Sequence, residues 1–359
     1  MHLTTGILVV SMGAIYSTIT AILLSDEVRV KNLRIWVGII ISVVCIYIAF
    51  QGLHFGDFWQ VVQSVNYWWI IPAVAVYTVA VVIRTWRWQS MLRPIAHIPL
   101  TRLWPVVVIG YMGNNVYPAR AGEVLRSYVL RRREGIAMSA SLATVVLERL
   151  FDGLIMLLFV FVTLPFAPLP PFYNQIVTVF SVVFGLALLF FLVLAARPQQ
   201  FLAVWNWVST HLLPARFANR GNDIVLSFVS GLQSLKSPRE MLVIFASSAL
   251  IWLTETGKYW VIMQGFPFHV DFTVLMLMTA VVNLATTLPS TPGYAGTFDV
   301  PGILVLQRYG VAQAMATGYT LVLHVALWLP ITLLGAWYML REHMSWDDFG
   351  RAVTARQGE

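Results

Sequence analysis

Long apolar stretches separated by brief polar punctuation run the length of the chain. Gly6 to Leu24, Ile35 to Gln51, Trp69 to Met91, Ile136 to Phe161, Phe172 to Ala196, Met241 to Met263 and Met315 to Leu340 each hold enough apolar residues to cross a bilayer as helix. The criterion is a rise of about 1.5 Å per residue against a hydrocarbon core of about 30 Å. Two segments alternate polar and apolar residues at helical spacing instead: His54 to Asn66, backed by Trp68-Trp69, and Asn222 to Lys236 within the polar connection Arg197 to Arg239. Both predict helices lying in the membrane interface.

Two further apolar runs are interrupted. Leu103 to Val116 and Ala119 to Arg131 flank Tyr117-Pro118, and Pro118 cannot continue a helix but suits the start of one. Each arm is roughly 20 Å long as helix, enough to reach mid-membrane and no more. Arg93 and Arg102 before the first arm, and Arg126 and Arg131-Arg132-Arg133 in and after the second, favour one membrane face for both outer ends. The pattern predicts a re-entrant helical hairpin over 103–131 with Arg120 and Glu123 near its tip; a straight, Pro-kinked span is the alternative. Phe272 to Thr287, the breaker cluster Leu288 to Asp299 (LPSTPGYAGTFD) and a short run ending near Arg308 repeat the same grammar over 272–308.

Composition agrees: 58% of residues are hydrophobic, 11% are charged, and the mean hydropathy is +0.76. The expected fold class is an all-α integral membrane protein, since the short alternating strands of a β-barrel are missing from the sequence. With the N-terminus outside, alternation of faces puts 19 of the 23 Lys and Arg residues inside, Arg84, Arg87 and Arg126 among them. The net charge of +7 is thus topology signalling at the cytoplasmic membrane, not a nucleic-acid footprint. The single cysteine, Cys45, excludes an intrachain disulfide or a cysteine metal site. Met1 to Leu24 lacks a basic n-region and a convincing cleavage site, so it is expected as a retained helix. The layout is one transmembrane domain, 1–359. An extra helix and loop (1–34) precede a first repeat (35–162); an inverted second repeat (172–340) and a cytoplasmic tail (341–359) follow. Inverted repeats with broken helices are common transporter architecture.

The candidate chemistry gathers at the breaks. Free N–H groups and the helix dipole at two facing tips would attract an anion. Arg120 offers a forked guanidinium to phosphate oxygens, or else pairs with Glu123 and holds the hairpin shut. Gly122, Gly293 and Gly296 admit close backbone approach, and Asn114 and Asn115 cap the broken arm or bind a headgroup. Arg126 and Asp299 complete the substrate-binding set, although Asp299 could simply cap a helix start. Glu148, Arg149 and Asp152 share one span, where ionisable residues are costly; they read as coupling or gating groups, or as an ion network clamping the hairpin. Glu255 and Lys258 form a further i, i+3 pair that reads first as structural, and His324 in the last span is read as hydrogen-bonded structure before proton relay. The sequence lacks paired metal-ligand motifs, a phosphate-binding Gly-rich loop, a Gly-x-Ser-x-Gly elbow and an Asp-x-Asp pair, so no catalytic residue, metal or cofactor is expected.

Asn114 to Arg126 (Asn-x-x-x-Pro-Ala-Arg-x-Gly-Glu-x-x-Arg), followed by Val146 to Asp152 (VLERLFD), resembles the flippase-like transmembrane family of lysylphosphatidylglycerol synthases and their stand-alone relatives. The cluster Leu288 to Asp299 resembles that family's second signature, more usually Pro-Gly-Gly-x-Gly with Glu at the acidic place; Tyr294 and Asp299 depart from it. The resemblance spans roughly Ile35 to Leu340 and implies two inverted re-entrant hairpins and lipid translocation between leaflets. No counterpart of the synthases' aminoacyl-transferring domain stands in the sequence, so lipid synthesis is not implied. The expected partner is a membrane lipid, a phospholipid or a polyprenyl-linked lipid, with homo-oligomerisation left open. A membrane-embedded transferase using a polyprenyl-linked donor, with Glu123, Glu148 or Asp152 as base, and a non-transporting scaffold for a lipid-synthesis enzyme are the alternatives.

Overall fold

The computed structural model describes residues 40, 43, 44, 47, 51–117, 121–166, 171–211, 215–232, 235, 237–287 and 292–342, excepting the side chains of 171–174, 176, 177, 180, 195 and 215–220. The expected first span, most of the second, Arg120 and the 343–359 tail lie outside them. The described residues form twelve α-helices and no strand. They are α1 (Phe55–Ser64), α2 (Ile70–Leu92), α3 (Leu100–Val116), α4 (Ala121–Glu134), α5 (Met138–Thr163), α6 (Pro171–Ala196), α7 (Pro198–His211), α8 (Ala215–Gly231), α9 (Pro238–Met263), α10 (Phe272–Ala285), α11 (Asp299–Arg308) and α12 (Gln313–Arg341).

Local chemistry accounts for several boundaries. Pro118 disfavours helical backbone at the residue before it, and Tyr117 is extended (φ −110°, ψ 146°), which ends α3. α4 carries Arg131, Arg132 and Arg133 in its last turn, where cations suit the helix dipole, and stops at Gly135 with φ +70°. Ser237 caps α9 by accepting the Glu240 N–H at 3.4 Å, with Pro238 in the first turn. Among the described residues of the α10–α11 connection, three are left-handed: Gly293, Tyr294 and Gly296.

Among the described residues, three helical stretches are long and apolar enough to cross a membrane: Tyr67–Leu92, Pro238–Met263 and Gln313–Arg341; a fourth counts if Ser181–Leu194 and Pro198–His211, bent by 92°, are one span. α5 matches them in length but carries Glu148, Arg149 and Asp152. α1 leaves Phe55 and Trp59 exposed, with Trp68 just beyond it. The polar connection differs from expectation in holding two helices, α7 and α8, the second starting seven residues before Asn222. Pro198 at the start of α7 is the local signal for the extra helix.

The helices pack in pairs that answer one another. α2 lies along α9; α3 packs on α4 and α12, while α10 packs on α5 and α11; α4 meets α5 as α11 meets α12. α3 and α4 fold back on each other, bringing Arg102 at the start of α3 within 3.6 Å of Glu134 at the end of α4. Glycine makes that approach possible: a Cβ on Gly122 would stand 1.9 Å from the Gly110 carbonyl oxygen, and one on Gly113 would stand 2.8 Å from the Gly122 Cα. Apolar cores cover the α9–α12 side, through Ile262, Met278, Ile303 and Leu323, and the α2–α3–α4 side, through Trp88, Val107, Leu125 and Ile331.

Candidate functional site: a buried ion cluster and a junction of two breaks

α2, α4, α5 and α9 point charged side chains into one interior. Arg87 is fully buried and bridges two acids, with Nη2 2.8 Å from Glu148 Oε1 and Nη1 2.6 Å from Asp152 Oδ1. The same Nη1 donates to Ser248 Oγ at 2.6 Å. Arg126 reaches the other Glu148 oxygen at 2.6 Å and stacks 4.4 Å above the Trp88 ring. Arg84 donates to Glu255 at 3.1 Å, lies 3.8 Å from Asp152 and covers the Trp252 ring at 4.6 Å. Trp252 in turn donates its indole N–H to Asp152 at 3.0 Å. Lys258 pairs with Glu255 and sits 4.4 Å over the Tyr77 ring. Arg149 closes the cluster, 2.8 Å from Glu123 and 3.7 Å from Asp152.

Charges so far from water are tolerated when paired, and each cation here has a carboxylate partner, although the Arg87 Nε has no hydrogen-bond partner among the described residues. Five cationic side chains face four carboxylates, so the cluster is electropositive. It is closed on most sides; Arg149 and Glu123, with side chains 30% and 20% exposed, form its open edge.

Among the residues picked out from the sequence, the structure brings Glu123, Arg126, Glu148, Arg149, Asp152, Glu255 and Lys258 into this one cluster. Arg84 and Arg87 were expected within the span Trp69 to Met91, near its exit and counted to the inner face; what the sequence did not show is that they are buried in ion pairs. Both lie within α2 with side chains at most 5% exposed, because the acids of α5 and α9 supply partners that a loop position would not. Arg126, expected in the second arm and counted to the same face, is likewise buried and paired. The signal was present in the i, i+3 spacing, which puts Arg84 and Arg87 on one helix face.

A second polar junction joins the ends of the two broken segments. Asn115, at the end of α3, donates through Nδ2 to Thr332 Oγ1 at 2.8 Å and to the Trp328 carbonyl at 3.3 Å, and its own carbonyl accepts the Trp328 indole N–H at 3.3 Å. Gly293, from the other break, lies against the same indole: a Cβ there would stand 2.9 Å from Trp328 Nε1 and 3.5 Å from the Asn115 oxygen. One turn earlier on α12, His324 bonds the Gly293 carbonyl and Asp299. Asp299 also accepts the Gly296 N–H at 2.9 Å, so its carboxylate ties down the turn before α11. Asn114 is buried, and its Oδ1 has no hydrogen-bond partner among the described residues. The close neighbour that Gly122 admits is α3. Trp328 and Thr332 were not singled out from the sequence, although His324, Trp328 and Thr332 recur at i, i+4 and i+8 within an apolar span.

Relatives of the chain are membrane proteins. A UPF0104 membrane protein of Methanothermobacter thermautotrophicus is 23% identical over 75% of this chain and 82% of its own length. One from Methanocaldococcus jannaschii is 21% identical over 87% of the chain and 96% of its own length. The glycosyltransferase AglD of Haloferax volcanii is 23% identical over 74% of the chain, a match spanning 47% of that protein. The family described as the lysylphosphatidylglycerol synthase TM region matches residues 35–335. With so much of its length matched, the chain belongs to that transmembrane family.

Proposed function

We propose that the protein is a lipid flippase of inverted-repeat architecture, in which α3–α4 and α10–α11 are re-entrant hairpins and a polar, phosphate-bearing headgroup passes beside their tips. The observation that carries this reading is the electropositive cluster, buried except at Arg149 and Glu123 and built partly on the α4 arm of the first break. A headgroup phosphate would meet the Arg149 guanidinium there, with Arg120 and the N-terminal end of α4 adding positive potential. Asn114 Oδ1 would accept a hydrogen bond from a headgroup hydroxyl or amine. The lipid tails would stay in the bilayer.

The repeat is supported by the packing. Exchanging α2 with α9, α3 with α10, α4 with α11 and α5 with α12 maps the α3–α12 contact onto α10–α5 and returns the α2–α9 contact to itself. A two-fold relation between halves does this, and it is the symmetry of inverted-repeat transporters.

The test is translocation of an acyl-labelled anionic phospholipid in vesicles reconstituted with purified protein. Arg149→Gln and Arg120→Ala should each lower the rate at least tenfold while the protein stays folded, a factor equal to about 1.4 kcal/mol of headgroup binding. Unchanged rates in both would refute the headgroup site.

A second reading rests on the relative named a glycosyltransferase. In a membrane-embedded transferase using a polyprenyl-linked donor, Glu123 at the open edge would be the base that a substrate could reach. Formation of glycosylated product from a labelled polyprenyl-phosphate sugar would favour this reading; movement of unaltered lipid would favour the flippase.

A further inference from the structure

We infer that His324 and Asp299 form a proton-binding site that latches the second break to α12, so that loss of one proton releases the junction where the two breaks meet. This deepens the flippase reading and rests on it for its role in transport. His324 Nε2 lies 2.7 Å from the Gly293 carbonyl oxygen, and Nδ1 lies 2.8 Å from Asp299 Oδ1. A carbonyl oxygen only accepts, so Nε2 must carry a hydrogen. The Nδ1 contact then needs a hydrogen as well, either on the ring, facing a carboxylate, or on Asp299, facing a ring lone pair. In both arrangements the pair holds one proton more than a neutral imidazole plus a carboxylate.

Removing that proton leaves a single hydrogen for two contacts. If it stays on Nε2, the Nδ1 lone pair faces the carboxylate; if it moves to Nδ1, the Nε2 lone pair faces the Gly293 carbonyl. One contact must open in either case. Asp299 Oδ2 is already engaged by the Gly296 N–H at 2.9 Å, which keeps the carboxylate in place. The Gly293 contact is therefore the one that yields. Gly293 sits against Trp328, which holds Asn115 at the end of α3, so its release reaches the first break through one shared side chain.

The neighbouring elements offer no competing charge in contact with the ring among the described residues. α11 contributes Asp299, and the Phe298 ring lies beside the imidazole with centroids 4.6 Å apart. The turn contributes the Gly293 carbonyl, α3 the neutral Asn115 one helical turn away, α9 the Tyr259 carbonyl bonded to Tyr319, and α1 the apolar Val61 against Gly318. Arg84 and Arg87 of α2 and Glu255 and Lys258 of α9 are occupied in the ion cluster. The His324 side chain is 16% exposed, so it is not sealed in the interior.

The experiment has two arms. In the first, protein carrying 15N-histidine and 13C-aspartate in nanodiscs is titrated from about pH 5 to about pH 9, a range that spans ordinary imidazole ionisation. The His324 and Asp299 signals, identified by their loss in His324→Gln and Asp299→Asn, should move together as one proton leaves. Signals that hold one state throughout would overturn the proton site, whatever the protein transports. In the second, translocation of the acyl-labelled anionic phospholipid is followed over the same range. The wild-type rate should change about tenfold, the factor commanded by one hydrogen bond at a two-state element, and His324→Gln should flatten the profile. Asp299→Asn is the second variant should His324→Gln fail to fold. A variant profile that tracks the wild type would overturn the coupling. Absence of translocation at every pH, with the first arm positive, would instead remove the flippase reading and leave the proton site standing.

Discussion

Arg87 is the most connected cation of the buried cluster, and its removal has a calculable outcome. In Arg87→Met, Glu148 keeps Arg126 at 2.6 Å, and Ser248 keeps its bond to the Ile244 carbonyl at 2.8 Å. Asp152 fares worst. It retains the Trp252 N–H at 3.0 Å, while Arg84 and Arg149 stand 3.8 and 3.7 Å away, beyond hydrogen-bond reach. Breaking a buried pair so that one charge is left under-compensated costs about 3–5 kcal/mol. The midpoint of an unfolding titration in mixed micelles, followed by circular dichroism, should fall accordingly. The double variant Arg87→Met/Asp152→Asn neutralises the stranded acid and should recover about 1–3 kcal/mol, the size of coupling expected between contacting residues. A cost below about 1 kcal/mol for Arg87→Met would place the pair among solvent-screened surface bridges and refute the buried cluster.

Other expectations use the same protein. Gly122→Ala places a methyl group 1.9 Å from the Gly110 backbone oxygen, which cannot swing aside, so α3 and α4 must part; a loss of about 2 kcal/mol or more is expected in the same titration. If α3–α4 is re-entrant, Arg102→Cys and Arg132→Cys in a Cys45→Ser background will react with an impermeant thiol reagent from the same side of sealed vesicles; labelling from opposite sides would sink the hairpin. Trp328→Phe keeps the ring but loses its N–H to the Asn115 carbonyl, at a cost of about 1 kcal/mol. Combined with Asn115→Ala, it should cost less than the sum of the two single changes, because both act on one junction.

The helices were legible because apolar period and proline placement are local properties. Pro118 and the Pro/Gly cluster Leu288 to Asp299 marked the two broken segments without any tertiary information. The partners of the charges were not legible in the same way. Glu148 and Asp152 are visibly out of place in an apolar span, yet nothing within thirteen residues of them reveals that the deeper bond of each runs to Arg87, 61 and 65 positions earlier. Arg84 and Arg87 were misread because a basic residue toward the end of a span resembles a topology signal until its partner is known. Trp328 was invisible for the opposite reason: an aromatic residue in an apolar helix looks like packing, and only the fold shows its N–H meeting a carbonyl 213 residues away.

Because the cluster spans α2, α4, α5 and α9, it holds the fold together as well as being the proposed headgroup site, and most substitutions within it would confound the two roles. Arg149 separates them. Its side chain is 30% exposed and faces a Glu123 that is 20% exposed, so the pair lies at the rim and losing it should cost less than losing the fully buried Arg87. Glu148 and Asp152 keep Arg87 and Arg126 when Arg149 is replaced, so the interior remains compensated. Arg149→Gln should therefore lower the unfolding midpoint less than Arg87→Met does while removing the positive charge that a headgroup would meet first. Loss of translocation with such a midpoint would assign Arg149 to the headgroup. A midpoint that falls as far as in Arg87→Met would show instead that the open edge is structural, and the headgroup would have to enter elsewhere.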